Sequence, residues 1–468
     1  MTFPIAGGTQ STGYDIDNSI RLNDDDSHNI SNNPNGGSGS DGSRTQFSIS
    51  MWVKRSNLGL GDNSKQQFLT SAVATNNFYG TIKFNGSDKI QINLINSGSD
   101  QDEIVTNNVF RDTSAWYHIF IATDKTQAAV GDGIKIYVNG VLQTLATSTY
   151  AQNQGYHFFR PGKTHYIGNF NGSEGYFDGY FAEMHFIDGQ VKAHTDFGEL
   201  NDNGVWVPKK YSGSYGTYGA FLEFKQTGTS ENSSGIGADT SGNDEHYAVA
   251  NMDQHTVNVD TPTLNYCTLN AVGATDSQGE STNLANGALR ISTNGRSQGL
   301  TMDNVMLDGG RWYFEVYLAG GSFNSTIGFR NADNGDDTPS IEIENDGQIK
   351  KDGSNQGSTD TAFSNGMVVG VLLDWSGAPS DRRISFETNN SAHSEGQQTF
   401  SVGSQGYHYH GRETGSGASH IYNFGQNGAF FGNLSAGNNA DGNGLGNFKY
   451  AVPSNHFAIC SKNLATEV

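Results

Sequence analysis

Three acidic residues in one short stretch have the side chains that glycoside hydrolysis requires. Glu342, Glu344 and Asp346 lie in the sequence IEIEND, in which acids alternate with isoleucine or asparagine. A glycosidase places two carboxylates about 5–9 Å apart, on either side of the bond that it breaks. On the chemistry of its side chains alone, the stretch is a candidate catalytic strand. The protein would then be a polysaccharide-degrading enzyme.

The same stretch also fits a β-hairpin. In that interpretation Gly347 takes the left-handed position of a three-residue loop. Ile343 then faces Ile349 on the core side, and Glu342 faces Lys350 on the solvent side. This register satisfies both faces of the strand pair, as a sheet with one buried face requires. We therefore expect a hairpin and no catalytic pair.

Runs of aspartate are candidate metal ligands. Calcium binds about six to eight oxygen atoms, which a flexible loop can supply. The first run is Asp24, Asp25 and Asp26. The second comprises Asp333, Asp336 and Asp337. Neither run has the EF-hand pattern, and acidic loops are common in an acidic chain. We expect no obligatory cofactor, and we name calcium at Asp24, Asp25 and Asp26 as the candidate structural ion.

Histidines form a second candidate metal site. His408 and His410 are two residues apart, with His420 nearby. On a strand such positions share a face, so both imidazoles could reach one metal ion. No fixed third ligand is apparent in the sequence. We therefore interpret them as exposed histidines of a loop.

Aromatic residues in several loops are candidate sugar contacts. Glycan sites combine a stacking aromatic ring with amide, carboxylate and backbone groups on loops. The same residues could instead belong to the core or to a protein interface. The candidate glycan contacts are Tyr150, Tyr156, His157, Tyr176 and Phe177. Phe158 lies in the same stretch.

The elements that must position these residues are β-strands. Residues 47–53 alternate apolar and polar side chains, which predicts a half-buried strand. Residues 134–138 alternate in the same way and precede Asn139 and Gly140, the strongest short signal for a hairpin. No long amphipathic helix is visible. We predict an all-β protein built from two antiparallel, jelly-roll-like β-sandwiches.

Strand-like sequence is concentrated in two blocks, residues 1–198 and residues 263–468. Residues 199–262 are richer in glycine, serine, asparagine and aspartate, with a single clear strand at Ala220 to Phe224. We predict that residues 199–262 are a loop-rich segment that bridges two domains.

Composition and charge limit the classes of partner that the protein can have. Aromatic residues make up 11% of the chain, which favours a folded protein over a disordered one. The net charge of -21 repels phosphate backbones, so we expect no nucleic-acid partner. No apolar run of about 18 residues and no secretory leader pattern occurs, so we expect no membrane insertion. Cys267 and Cys460 are too few for a disulfide framework, and their pairing stays open.

The first block resembles laminin-G and concanavalin A-like domains. The resemblance is carried by FSISMWVKR (47–55), WYH (116–118), IKIYVNG (134–140), YIG (166–168) and FDGYFAE (177–183). The second block resembles SPRY domains. This resemblance is carried by WYFEV (312–316), IGF (327–329), VGVLLD (369–374), ISF (384–386), YNFGQ (422–426) and residues 452–460.

The two blocks together resemble a type of marine bacteriophage structural protein, in which segments like 204–209 and 260–262 join the two domains. This resemblance implies a non-enzymatic virion component, such as a fibre, spike or decoration subunit of the tail or head. The expected partners are other virion proteins and host-surface polysaccharide, and the expected assembly is a homo-oligomer, by analogy a trimer. A polysaccharide-degrading enzyme and a soluble lectin remain the alternatives.

Overall fold

The computed structural model describes residues 13–58, 66–72, 78–271, 284–292, 295–298, 300–302, 309–331, 340–357, 360–400 and 407–467. The chain divides into two compact units, Met1–Thr263 and Leu264–Val468. The regular secondary structure of both units is mainly antiparallel β-sheet, so the predicted all-β class is confirmed. Among the described residues, no helix is long and apolar enough to cross a membrane.

The first unit contains most of its strands before residue 190. In chain order they are β1 (Ser19–Leu22), β2 (Asn29–Asn32), β3 (Gln46–Arg55), β4 (Gln67–Ala72), β5 (Phe78–Phe84), β6 (Ile90–Asn96), β7 (Ser99–Thr106), β8 (Trp116–Asp124), β9 (Ile134–Val138), β10 (Val141–Leu142), β11 (Leu145–Thr149), β12 (Thr164–Ile167), β13 (Gly179–Asp188), β14 (Gly198–Leu200), β15 (Trp206–Pro208), β16 (Ala220–Leu222), β17 (Ala248–Ala250) and β18 (Val257–Asn258). The helical turns are α1 (Val130–Gly133) and short 3-10 helices at Pro34–Gly37, His194–Asp196 and Gln254–Thr256.

Two sheets of the first unit pack face to face. Sheet A has the order β10-β9-β8-β3-β13-β1-β18, and β16 also pairs with β13. Sheet B has the order β11-β7-β6-β5-β4-β12-β2-β17. Alternate residues of both sheets, such as Ile49 of β3 and Ile92 of β6, enter one shared apolar core. The hairpin at Asn139 and Gly140 forms as predicted, with positive φ at both residues and Val141 opposite Val138.

The central strands of sheet A, β3 and β13, are buried on both faces, which corrects the prediction of a half-buried strand at residues 47–53. Every residue of β3 from Phe47 to Arg55 is buried. On the outer face Trp52 packs with Ile16, and Phe120 of β8 packs with Phe197. The outer face is therefore covered by chain that precedes β1 and follows β13.

Residues 199–262 supply part of that cover, so the prediction that they bridge two domains is wrong. They lie within the first unit, and β16, β17 and β18 each add an edge or side strand to sheet A or sheet B. Asp260 is buried on sheet A, with its Oδ2 2.8 Å from Nζ of Lys54. Strands of two or three residues within a segment rich in glycine and serine give little signal in a sequence, which explains the error.

The second unit is also built from short antiparallel strands. They are β19 (Leu284–Ala285), β20 (Arg290–Ile291), β21 (Gly295–Gln298), β22 (Arg311–Gly320), β23 (Ser325–Asn331), β24 (Ser340–Glu344), β25 (Ile349–Lys351), β26 (Ser354–Asn355), β27 (Val368–Asp374), β28 (Arg382–Thr388), β29 (Ser391–Ala392), β30 (Gln398–Phe400), β31 (Tyr407–Glu413), β32 (Ala418–Asn423) and β33 (Phe457–Ala458). Its helical turns are a 3-10 helix at Pro379–Asp381 and the terminal helix α2 (Ser461–Glu467).

These strands form a second sandwich. Sheet C has the order β19-β20-β32-β22-β27-β28-β29, with β30 beside β28 and β33 parallel to β22. Sheet D has the order β21-β31-β23-β24-β25-β26. Trp312 of sheet C and Phe329 of sheet D belong to one core cluster. Cys267 and Cys460 are both buried and are not joined by a disulfide, and burial raises the pKa of the Cys460 thiol to about 12.

A buried carboxylate joins the two sheets of the second unit. Glu413 of β31 accepts hydrogen bonds from Ser325 and from the Gly415 amide, and its Oε2 lies 3.3 Å from Nε2 of His420 in β32. Burial alone would raise the pKa of Glu413, but the bonds from His420 and Ser325 outweigh it and hold the pKa at about 2.

This depressed pKa predicts acid sensitivity of the second unit. The unfolded carboxyl titrates near its ordinary value, so the stabilisation is complete above that pH and is lost as pH falls through about 2. We expect the free energy of unfolding to decrease by about 3 kcal/mol more between pH 4.5 and pH 2 in the wild type than in Glu413→Gln. Chemical denaturation at a series of pH values measures this difference. Equal pH dependence in the two proteins would refute the assignment.

Candidate functional site

Three of the five candidate glycan contacts are buried, so the prediction that they contact a sugar is wrong. Tyr156 and His157 are 1% exposed and Phe177 is 0% exposed, which leaves no ring face for a sugar. Tyr156 makes an edge contact with Phe47, and Phe177 stacks on Phe181 at 4.7 Å. These aromatic side chains point inward. The composition of a loop does not show whether its aromatic side chains are buried or face solvent.

The other two candidates are partly exposed, and they differ in their surroundings. Tyr150 donates to the Gln127 carbonyl at 2.9 Å, and Nζ of Lys125 lies 3.8 Å from the centre of its ring. The ring is therefore already occupied by a cation. Tyr176 lies in the loop after β12, where its hydroxyl donates to the Gly172 carbonyl at 3.2 Å. Of the five candidates, Tyr176 alone borders the surface described below.

The acidic runs do not converge on one point in the described structure. Residues 24–27 form a turn in which Asp26 accepts a 2.6 Å hydrogen bond from Asn23 and lies 3.8 Å from His28. Across the described ranges, no group of three histidine, cysteine or acidic side chains is placed to hold a metal ion. Asp25 is exposed and Asp24 half-buried. Asp333, Asp336 and Asp337 lie outside the described residues.

The IEIEND stretch forms the predicted hairpin, with one correction. Ile343 pairs with Ile349, Glu342 pairs with Lys350, and Gly347 has a φ of +80°. Glu342, however, is only 4% exposed and does not face solvent. It accepts hydrogen bonds from Arg330 and from Nδ1 of His410. Burial opposes ionisation of Glu342, but these bonds prevail and lower its pKa.

The histidine candidates are not brought together. His410 contacts Glu342, whereas His420 contacts Glu413. Both are buried in strands, so the interpretation as exposed loop histidines is wrong for these two. The side chain of His408 lies outside the described part of the structure. His410 and His420 each contact a different carboxylate, so these two imidazoles share no ligand position.

A polar surface that the sequence analysis missed crosses the outer face of sheet B. Backbone pairing places Tyr166 beside Thr70, Thr70 beside Thr81, Thr81 beside Asn93, and Asn93 beside Glu103. Their chain neighbours, including Ile82, Ile92 and Ile104, enter the core. Because side chains alternate along a strand, the polar residues face away from the core. We call Thr70, Thr81, Gln91, Asn93 and Glu103 the polar face.

Amide side chains on this surface form a directed chain. Asn85 Nδ2 donates to Gln91 Oε1 at 3.1 Å, and Gln91 Nε2 donates to Asn93 Oδ1 at 2.9 Å. The chain fixes the orientation of both carboxamides, so the amide nitrogen of Asn93 is its terminal donor. Such ordered amides are prepared for a ligand because little side-chain entropy is lost on binding.

Thr81 lies at the centre of the polar face and is 2% exposed. Its hydroxyl has no hydrogen-bond partner among the residues that the structure describes. A buried hydroxyl without a partner costs free energy, and in a native protein it requires an explanation. Its neighbours Thr70 and Asn93 are also less than a tenth exposed.

Aromatic rings border the polar face on one side. Tyr79 of β5 meets Phe170 edge to face at 5.0 Å. Gly172 lies against the ring of Tyr166, since a Cβ at this position would be 3.1 Å from that ring. Tyr176 closes the same loop through its bond to Gly172. We call Tyr79, Tyr166, Phe170 and Tyr176 the aromatic rim.

The polar face and its rim have the chemistry of a binding surface. Half-exposed rings offer stacking planes, and carboxamide, hydroxyl and carboxylate groups offer donors and acceptors. The sequence carried a partial signal, because Thr81 and Lys83 alternate with core residues on one strand, as do Gln91 and Asn93 on the next. The pairing of the adjoining strand β4 with β12, roughly 90 residues later in the chain, was not readable from that pattern.

Comparison with solved structures finds distant similarity, at low identity. A heptameric SAP-like pentraxin from Limulus polyphemus is 14% identical, with 39% of this chain and 82% of that chain covered and a TM-score of 0.28. The CBM40 domain of the Ruminococcus gnavus IT-sialidase, bound to α2,3 sialyllactose, is 15% identical, with 30% and 73% covered and a TM-score of 0.23.

The SPRY domain of human HERC1 is also similar, at 17% identity, with 24% of this chain and 74% of that chain covered and a TM-score of 0.18. Such low scores indicate no ligand for this chain. Comparison with curated proteins gives no match. The family model of the concanavalin A-like lectin/glucanases superfamily, Laminin_G_3, matches residues 24–195, which confirms the resemblance of the first block to that lectin-like fold.

Proposed function

We propose that the first unit binds polysaccharide on the polar face of sheet B, and that the chain is a non-enzymatic structural subunit of a bacteriophage particle. The observation that carries the binding proposal is the row from Tyr166 to Glu103, in which hydroxyl, amide and carboxylate groups share one outer face beside half-exposed rings. Sugar sites combine the same two kinds of group.

The contrast between the two sheets supports this location. The outer face of sheet A is covered by aromatic and aliphatic residues of the same unit, among them Ile16 and Phe197. Sheet B instead has Gln91 and Asn93 on its outer face, where they are 9% and 8% exposed. Among the described residues, their carboxamides bond only to one another and to Asn85. A ligand that lies across β5 and β6 would meet both amides and the edge of the aromatic rim.

A binding assay tests this proposal with the intact chain. We expect retention of the protein on host-surface polysaccharide, or on members of a printed glycan array, with competition by the soluble glycan. Lys135→Ala, on the outer side of β9 in sheet A, serves as a matched control and should bind like the wild type. Failure of the intact protein to bind any polysaccharide of the host would refute the proposal.

The non-enzymatic part of the proposal rests on how the acidic stretch is engaged. Arg330 and His410 hold Glu342 ionised by direct hydrogen bonds, so it is poorly suited to donate a proton. Nζ of Lys350 lies 2.5 Å from Oε2 of Glu344, which occupies the second carboxylate. The two candidate acids therefore stabilise sheet D.

We expect no release of reducing sugar from host polysaccharide by the wild-type protein. Glu342→Gln should leave binding to polysaccharide unchanged, because Glu342 belongs to the second unit, and it should lower the stability of that unit. Reducing-end assays and calorimetry measure the two effects. Turnover that disappears in Glu342→Gln or Glu344→Gln would instead identify a polysaccharide-degrading enzyme.

The proposed structural role is based on the resemblance of both blocks to marine-phage structural proteins. The same resemblance implies that other virion proteins are partners and that the chain forms a homotrimer. We expect mass spectrometry to detect this chain in purified particles, and native mass spectrometry to give three copies per assembly. Absence of the chain from particles, together with glycan binding by a free monomer, would identify a soluble lectin instead.

A further inference from the structure

We propose that the polar face takes a neutral, hydroxyl-rich glycan, and that the hydroxyl of Thr81 hydrogen-bonds to it. This inference rests on the proposed function and adds the class of ligand. It is carried by three features of the face: its sign of charge, the type of its hydrogen-bonding groups, and the buried hydroxyl at its centre.

The charge of the region disfavours an anionic sugar. Glu103 lies directly beside Asn93, and Asp100 lies near enough to Tyr79 to raise the pKa of its phenol, after the larger effect of burial. Lys83 is the cation on the adjoining position of β5. The chain as a whole carries a net charge of -21. A uronate, sulfate or sialate would approach against this field, whereas a neutral sugar would not.

The groups on the face match uncharged hydroxyls. A carboxamide donates and accepts at once, which suits neighbouring sugar hydroxyls that do the same. Recognition of sulfate or carboxylate instead favours the planar donors of arginine. The rows from Tyr166 to Glu103 and from Gln67 to Gln91 contain amides, hydroxyls, one carboxylate and one lysine, and no arginine.

Thr81 supplies the specific contact. Its hydroxyl is buried and has no hydrogen-bond partner among the described residues, which costs free energy. A hydrogen bond to a ligand hydroxyl would remove that cost and so favour binding. Because Thr81 is only 2% exposed, a ligand reaches its hydroxyl only if the side chains packed around it shift. A site built to pair a buried polar group discriminates strongly against ligands that cannot pair with it.

Thr81→Val distinguishes this role from a structural one. Valine keeps the shape and removes an unpaired buried hydroxyl, so the melting temperature should be unchanged or higher than in the wild type. Affinity for the neutral glycan should fall about tenfold. A hydroxyl that stabilises the fold would give the reverse, a lower melting temperature with unchanged affinity, and that result would overturn the assignment of Thr81.

The ligand class is tested with the intact chain on an array that pairs neutral glycans with their sulfated, uronate-bearing or sialylated counterparts. We expect binding to neutral members, with affinity unchanged between low and high salt. Preferential binding to anionic members, weakened by salt and by Lys83→Ala, would overturn the ligand class and leave the proposed function intact. Binding to no member of either kind would refute both.

Discussion

Replacing Asp260 by alanine should destabilise the first unit by about 3–5 kcal/mol, because the change removes one partner of a fully buried ion pair. Asp260 and Lys54 are both 0% exposed, and the carboxylate also accepts a 3.2 Å hydrogen bond from the Trp116 indole. Without Asp260, the ammonium group of Lys54 stays buried without its carboxylate. Denaturant unfolding followed by tryptophan fluorescence measures the loss.

A paired replacement provides the control. Lys54→Met combined with Asp260→Leu removes both charges and keeps apolar volume, and buried pairs replaced in this way often lose little or no stability. We expect the double variant to recover most of the stability lost in Asp260→Ala. A cost below about 1 kcal/mol for Asp260→Ala would contradict the structure, since residues 199–262 would then not be anchored to sheet A.

Replacing Asn93 and Tyr166 by alanine should each weaken polysaccharide binding about tenfold, and together about a hundredfold, if the two contacts are independent. Asn93 loses its terminal donor, and Tyr166 loses a stacking ring at the rim. Neither residue enters the core of the sandwich. The melting temperature should therefore change by only a few degrees, which calorimetry on the same samples checks.

Tyr137→Ala is the matched control for Tyr166→Ala. Tyr137 is a half-buried tyrosine on the outer side of β9, where it stacks on His194 at 4.1 Å. Its removal should leave the affinity for polysaccharide within twofold of the wild type. Equal losses of affinity in Tyr137→Ala and Tyr166→Ala would show that binding is not localised to sheet B.

Features set by neighbouring residues were predictable from the sequence. The hairpin at Asn139 and Gly140 follows from the ability of both residues to adopt positive φ. The register of the IEIEND hairpin follows from matching apolar residues across a short loop, and Ile343 does face Ile349. Both outcomes depend on chain separations of fewer than ten residues.

Features set by distant contacts were not predictable. Tyr156 and Phe177 looked like loop residues available to a ligand, but packing against Phe47 and Phe181 buries them. Glu342 was expected in solvent, yet Arg330 from the adjacent strand and His410 from the strand beyond it bond to its carboxylate. The side chain that covers a position comes from elsewhere in the chain, and alternation along one strand carries no information about it.

The polar face shows the same limit at the level of a whole site. Thr81 and Asn93 were readable as outward-facing residues of two strands. Their position beside Tyr166 depends on β12 inserting between β2 and β4, which are separated from it by roughly 100 residues or more of chain. A local sequence pattern carries no information about which distant strands become neighbours in a sheet.

A crystal structure of the intact chain with a bound oligosaccharide tests the central claim most directly. We expect the sugar to lie across β5 and β6, with a ring near Tyr166 or Tyr79 and hydrogen bonds to Asn93 and Thr81. Ordered sugar on the outer side of sheet A or on sheet D, with the polar face unchanged, would contradict the account.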